Sequence, residues 1–139
     1  MRNDLGDSMR SRALVLVVDD DSSMLKAVER LLTVRGYTVE TFSTADSLER
    51  SKQLDVAACL VLDINLNGIS GIELKRKLTR SGTVPPTIFI TAQQDDDTRR
   101  AASDAGCVAY IVKPFASQDL VNAIESLGLS FPKPLSAAI

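Results

Sequence analysis

Apolar residues along the chain gather in five short blocks: 13–18 (Ala13–Val18), 38–41 (Thr38–Thr41), 56–62 (Val56–Leu62), 87–91 (Thr87–Thr91) and 108–112 (Val108–Val112). Each has the length of a β-strand, and four are nearly continuous in apolar character. Strands buried on both faces of a parallel sheet read this way, because neither face has water to satisfy. Between the blocks the period changes to that of a helix. Met24, Leu25, Val28, Leu31 and Leu32 fall on one helical face; Ile72, Leu74 and Leu78 form a shorter one; Leu120, Val121, Ile124 and Leu127 form another. Residues 44–52 predict a weaker helix with Ser43 as its cap. Residues 95–105 predict a further helix that opens on Asp95, Asp96 and Asp97, where the helix dipole favours negative charge. Four of the helices run into a glycine, a residue that readily takes the left-handed turn that ends a helix.

The regular alternation predicts an α/β domain, (βα)5, with a doubly wound five-stranded parallel sheet; the flavodoxin-like order 2-1-3-4-5, one of the common orders of such sheets, is expected for it. Residues 13–128 make up this domain. Residues 1–12 are expected to be a polar N-terminal tail, and residues 129–139 a C-terminal tail or linker stub, in which Pro132 and Pro134 oppose a continued helix. The chain has 139 residues, 45% of them hydrophobic and 24% charged, with a net charge of −2. That balance suits a single globular domain and gives no sign of binding nucleic acid or an anionic membrane. The apolar blocks are too short to span a bilayer, and the first residues lack a secretory apolar core, so a cytoplasmic location is expected. The chain has no histidine, and its two cysteines, Cys59 and Cys107, lack metal-ligand spacing. Zinc sites and histidine-based proton transfer are therefore disfavoured, and both cysteines read as small core residues.

The chemistry lies at the ends of the strands. Asp19 and Asp20 follow the first block, Asp63 the third and Lys113 the fifth, while Thr91 closes the fourth. In a parallel sheet these positions share one edge, where α/β domains bind ligands. Clustered carboxylates repel one another unless a cation joins them, and an all-oxygen set suits a hard ion such as Mg²⁺. A lysine and a hydroxyl beside such an ion can hold further phosphoryl oxygens, and a carboxylate can itself be phosphorylated. The set therefore points to phosphoryl transfer.

The segments VLVVDDDSSM, CLVLDINLNGISG, IFITA and YIVKPF resemble, in order and spacing, the signature segments of response-regulator receiver domains of two-component systems. The helices are closest in flavour to the FixJ-type receivers, which precede a helix-turn-helix output domain. The resemblance implies that Asp63 takes a phosphoryl group from a sensor histidine kinase or phosphotransfer protein. It also implies that Asp20, Asp63 and the backbone carbonyl of Asn65 bind Mg²⁺, with Asp19 acting through water. By the same resemblance Lys113 pairs with the acceptor and then the phosphate, Thr91 donates to a phosphoryl oxygen, Tyr110 is the switch aromatic and the Lys113–Pro114 bond is cis. Output, transcription control in this reading, would run through the surface of the fourth helix, fifth strand and fifth helix, which also serves for homodimers in the family. The chain departs from the family where many members carry Met-Pro; here Leu66-Asn67 stand, followed by Gly68. Asn67-Gly68 makes a turn easily, so the loop is expected to persist.

Two other functions fit parts of the sequence. A haloacid-dehalogenase-like phosphatase would use Asp19-Asp20-Asp21 as its nucleophile motif, but it needs an acidic pair after the lysine, where only Asp119 and Glu125 stand. A receiver-like interaction module would never be phosphorylated, against which the full acceptor set argues. Asp21 is expected either to extend the acidic run or to cap the first helix. The fourth helix offers mainly Ala101, Ala102 and Ala105 to the core, and methyl groups bury little area. It is expected to be the mobile element that couples Thr91 and Tyr110 to a partner. The tail after Gly128 leaves open a stand-alone receiver or a piece of a longer regulator.

Overall fold

A computed structural model describes residues 13–82 and 84–128; the two expected tails lie outside the described residues. Five parallel strands form the sheet: β1 (Leu14–Val18), β2 (Thr38–Phe42), β3 (Cys59–Asp63), β4 (Thr87–Thr91) and β5 (Ala109–Val112). Their spatial order is β2-β1-β3-β4-β5, the expected 2-1-3-4-5. The helices that connect and follow them are α1 (Ser22–Val34), α2 (Ala45–Glu49), α3 (Gly71–Ser81), α4 (Asp96–Asp104) and α5 (Ser117–Glu125).

Strand alternation divides the core in two. Val15, Val17, Cys59, Val61, Ile88 and Ile90 point to the face covered by Leu25, Val28 and Leu32 of α1 and Leu120, Val121 and Ile124 of α5. Leu16, Val18, Leu60, Leu62 and Phe89 point to the other, covered by Leu48 of α2, Ile72, Leu74 and Leu78 of α3, and Ala102 of α4. Each central strand therefore needs apolar residues at successive positions, which is why the blocks read as continuous runs.

The first strand begins at Leu14 and the second runs on to Phe42, each one residue from expectation, and three further boundaries differ as well. The third strand begins at Cys59; Val56 and Ala57 belong to the turn after a 3₁₀ segment, Lys52–Asp55, and Val56 is 67% exposed. Hydrophobicity alone does not distinguish a strand residue from an apolar residue in the turn before it. The second helix is shorter than 44–52, and its cap is Thr44, not Ser43: the Thr44 hydroxyl accepts the Ser47 N–H at 3.0 Å, the reach an N-cap needs. The fifth strand starts at Ala109, leaving Val108 half exposed. Asp21 takes the capping alternative, accepting from the N–H groups of Ser23 and Met24 at 2.9 and 3.3 Å.

Phe89 is fully buried in the centre of the sheet. Phe89→Ala is expected to lower unfolding stability by about 3–5 kcal/mol in urea denaturation, through lost burial and the cavity left behind.

Candidate phosphoryl-acceptor site

The three central strands, β1, β3 and β4, each end at or just before a polar residue on one edge of the sheet. Asp19 follows β1, its N–H donating to the Phe42 carbonyl at 3.1 Å, and Asp63 is the last residue of β3. Thr91 closes β4, and its carbonyl accepts the Lys113 N–H at 2.7 Å, so the backbone just past β5 is held to β4. Asp19, Asp63 and Thr91 are buried, whereas Asp20 is exposed at the rim.

Carboxylate oxygens of Asp19, Asp20 and Asp63 lie within 4.8 Å of one another. The Lys113 ammonium reaches Asp19 Oδ2 at 3.1 Å and Asp63 Oδ2 at 3.3 Å. Among the described residues, the Lys113 ammonium thus pairs with two of the three carboxylates and leaves Asp20 outside its contacts. Burial pushes the Asp63 carboxyl up to about 6; the neighbouring Asp19 adds to this, while the Asn65 N–H and Lys113 oppose it. Burial works against the Lys113 ammonium, yet hydrogen bonding to Asp19 and the charges of both aspartates raise its pKa overall. The donor set is all oxygen, partly buried and short of positive charge, which is the chemistry of a hard divalent cation site.

The other polar contacts stabilise the loops. Asp63 Oδ1 accepts the Asn65 N–H at 3.0 Å, and Asp19 Oδ1 accepts the Asp21 N–H at 2.9 Å. The Thr91 hydroxyl donates to Asn65 Oδ1 at 3.3 Å and accepts the Gln93 N–H at 3.0 Å. Tyr110 lies further out: its hydroxyl donates to the Gln93 carbonyl at 3.0 Å, and the Arg99 guanidinium sits 4.6 Å from its ring centroid. An open cleft of about 850 Å³, lined in part by Asp20, Asn65, Asn67 and Gln93, adjoins the acidic cluster. The Lys113–Pro114 bond is cis, as expected.

The Leu66-Asn67-Gly68 segment survives as a hairpin in which Asn65 pairs with Ser70 and Leu66 with Ile69. Gly68 takes φ +86° while Asn67 keeps a negative φ, so the turn is not the mirror-image type that Asn-Gly often forms. Asp119 and Glu125 do not join the acidic cluster, and Asp119 accepts the Ala116 N–H at the start of α5. Among the described residues, the acidic cluster thus lacks the further pair that the phosphatase reading requires.

The family profile of the response regulator receiver domain matches residues 15–125. The chain belongs to the response-regulator receiver family. Nodulation protein W of Bradyrhizobium diazoefficiens is 37% identical over 114 residues, which are 82% of this chain and 50% of that protein. The solved structure of the response regulator StyR is 41% identical, with a TM-score of 0.74, covering 86% of this chain and 61% of that one. The beryllofluoride-activated receiver domain of DrrB, from Thermotoga maritima, is 28% identical with a TM-score of 0.76, covering 84% and 97%. The chain spans about half the length of the curated relatives it matches. This receiver domain is a signalling switch by family, and no helix among its described residues is long and apolar enough to cross a membrane.

Several residues of the receiver site escape a reading of the sequence. Gln93 and Arg99 carry no motif; only folding brings them to Tyr110. Gly71 had a signal, since it stands directly after the Ser70 cap of α3. Its N–H donates to the Ile64 carbonyl at 2.7 Å, and a Cβ there would overlap the carbonyl oxygen of Asp63. Gly71→Ala is expected to cost about 3 kcal/mol in urea denaturation, because backbone on both sides must move. Gly68→Ala meets no neighbouring atom and strains only its own φ, so about 1 kcal/mol is expected. Equal losses in the two variants would contradict the close approach at Gly71.

Proposed function

We propose that Asp63 accepts a phosphoryl group from a phosphohistidine of a sensor kinase or phosphotransfer protein, and that the resulting charge switches the surface of α4, β5 and α5. The observation that carries this reading is the Lys113 ammonium bridging Asp19 and Asp63, with the Asp20 carboxylate in the same cluster. A carboxylate oxygen of Asp63 attacks phosphorus, the phosphorus–nitrogen bond of the donor breaks, and histidine leaves as the neutral base after protonation. Asp20, Asp63 and the backbone carbonyl of Asn65 would hold Mg²⁺, with Asp19 acting through water. When bound, the ion would neutralise charge on the transferring group.

Lys113 keeps its place but changes partner, from the acceptor carboxylate to a phosphoryl oxygen. Thr91 gives up its bond to Asn65 Oδ1 and donates to the phosphoryl group instead. That movement pulls on Gln93, whose N–H binds Thr91 and whose carbonyl binds Tyr110. The chain thereby assists its own phosphorylation and dephosphorylation without turning over a free substrate. A cytoplasmic location, an output that controls transcription and a homodimer through α4, β5 and α5 complete the reading. The family membership and the names of response regulators among its relatives support it.

Incubation with acetyl phosphate and Mg²⁺ is expected to raise the intact mass by one phosphoryl group, a gain that disappears in Asp63→Asn. An unchanged mass for the parent protein would favour the interaction-module reading. Amide exchange gives a second test: a phosphoryl mimic at Asp63 is expected to change protection in α4 more than in β1 or β3, and equal protection with and without the mimic would exclude α4 as the mobile element.

A further inference from the structure

Lys75 is a buried cation with no part in the acceptor chemistry. It lies on α3 among Ile72, Leu74 and Leu78, on the face turned to the core, and is only 8% exposed. Lysine is rarely buried this far without an acidic partner, because its ammonium loses hydration. Here the ammonium donates to the Ala105 carbonyl at 3.0 Å and to Thr79 Oγ1 at 3.3 Å, while Thr79 donates onward to the Lys75 carbonyl at 2.8 Å. Ala105 is the residue that caps the C-terminal end of α4. The next residue, Gly106, turns with φ +92°, and a Cβ there would lie 3.5 Å from the ammonium. The charge thus sits directly beneath the final turn of α4, where the helix dipole is negative and carbonyls lack helical partners.

The helix that receives this contact has little else to hold it. Ala102 is its one buried residue, whereas α1 buries Leu25, Val28 and Leu32 and α5 buries Leu120, Val121 and Ile124. A methyl group contributes far less burial energy than a leucine side chain. At mid-helix, Arg99 lies over Tyr110 on the exposed side. Polar contacts therefore determine where α4 rests more than apolar packing does. Burial lowers the pKa of Lys75, the ordinary effect of dehydration on an ammonium, so the contacts with Ala105 and Thr79 rest on their geometry.

We propose that Lys75 is a latch from α3 that fixes the C-terminal end of α4 in the resting state, and that it sets the energetic threshold of the switch. Lys75 does not touch the reacting atoms; it is a positioning residue. The first part of the proposal stands on the resting structure alone, while the threshold role rests on the reading of Asp63 as acceptor. The linkage is thermodynamic. A contact made in the resting state and lost in the switched state opposes the switch by its own free energy, so its removal favours whatever binds the switched state.

The test compares the whole chain with Lys75→Met, which keeps an unbranched side chain of similar length and removes the donor. In the absence of phosphoryl donors, amide exchange in α4 is expected to speed up roughly tenfold, with β1 and β3 unchanged. Unaltered exchange in α4 overturns the latch. If exchange rises everywhere, the variant has lost its fold. The decision then passes to the parent protein, where the Lys75 ammonium should give a slowly exchanging nitrogen-15 NMR signal, and a rapidly exchanging signal overturns the latch.

The threshold is read from titration with beryllofluoride and Mg²⁺, followed by amide shifts around Asp63. Lys75→Met is expected to bind about threefold to tenfold more tightly than the parent. Equal affinity leaves Lys75 a purely structural residue and overturns the threshold role. Absence of beryllofluoride binding in the parent itself refutes the acceptor reading of Asp63 and the threshold with it, while the exchange result still decides the latch.

Discussion

Three carboxylates and one ammonium share the C-terminal edge of a sheet that is apolar on both faces, and much of the domain serves to hold them there. Asp19 and Asp63 are buried at the ends of β1 and β3. Left alone, two such groups repel each other and lose hydration. Lys113, reaching both from beyond β5, relieves part of that repulsion. The relief is incomplete, since Asp20 adds a third negative group and Asp63 is still pushed up to about 6 by its burial. A site of this kind has a standing preference for added positive charge, and its frame must be stiff enough to resist collapse or splaying.

The stiffness comes from the two-sided core. Alternate residues of β1, β3 and β4 pack against α1 and α5 on one side and against α2, α3 and α4 on the other. The helices are not equally anchored. Leucine, valine and isoleucine anchor α1 and α5, but α4 is anchored by Ala102 and by polar contacts at Ala105 and Arg99. This contrast places the softer helix on the side of Thr91, Gln93 and Tyr110, and a chain of hydrogen bonds runs through those three residues. A rigid acidic edge beside a lightly held helix is a physical basis for turning a local change in charge into movement at a distant surface.

The strand blocks, the five helices and their alternation were legible in the sequence because burial on both faces imposes continuous apolar runs, and parallel connections impose alternation; the 2-1-3-4-5 order was expected as a common order for such a sheet, and the fold has it. The strand-end positions of Asp19, Asp20, Asp63, Thr91 and Lys113 followed from the same pattern. The boundaries were less legible. Val56 is as apolar as a strand residue yet projects into solvent, and Ser43 and Thr44 are equivalent as caps until the backbone chooses one. Gln93 and Arg99 had no signal, since their contacts with Tyr110 depend on how one loop and one helix settle.

By itself, then, the sequence determined the parallel α/β fold and the edge on which its acidic and basic residues gather, because apolar periodicity is a local consequence of burial and parallel strands all end at the same edge. Tertiary structure alone decided which partners those residues take. The sequence does not say that Lys113 bridges Asp19 and Asp63, that Gly71 leaves room for the Asp63 carbonyl, or that Lys75 turns inward to meet the end of α4. Each is a contact between elements whose spacing depends on the whole packed core, and a few tenths of an ångström separate a hydrogen bond from a gap.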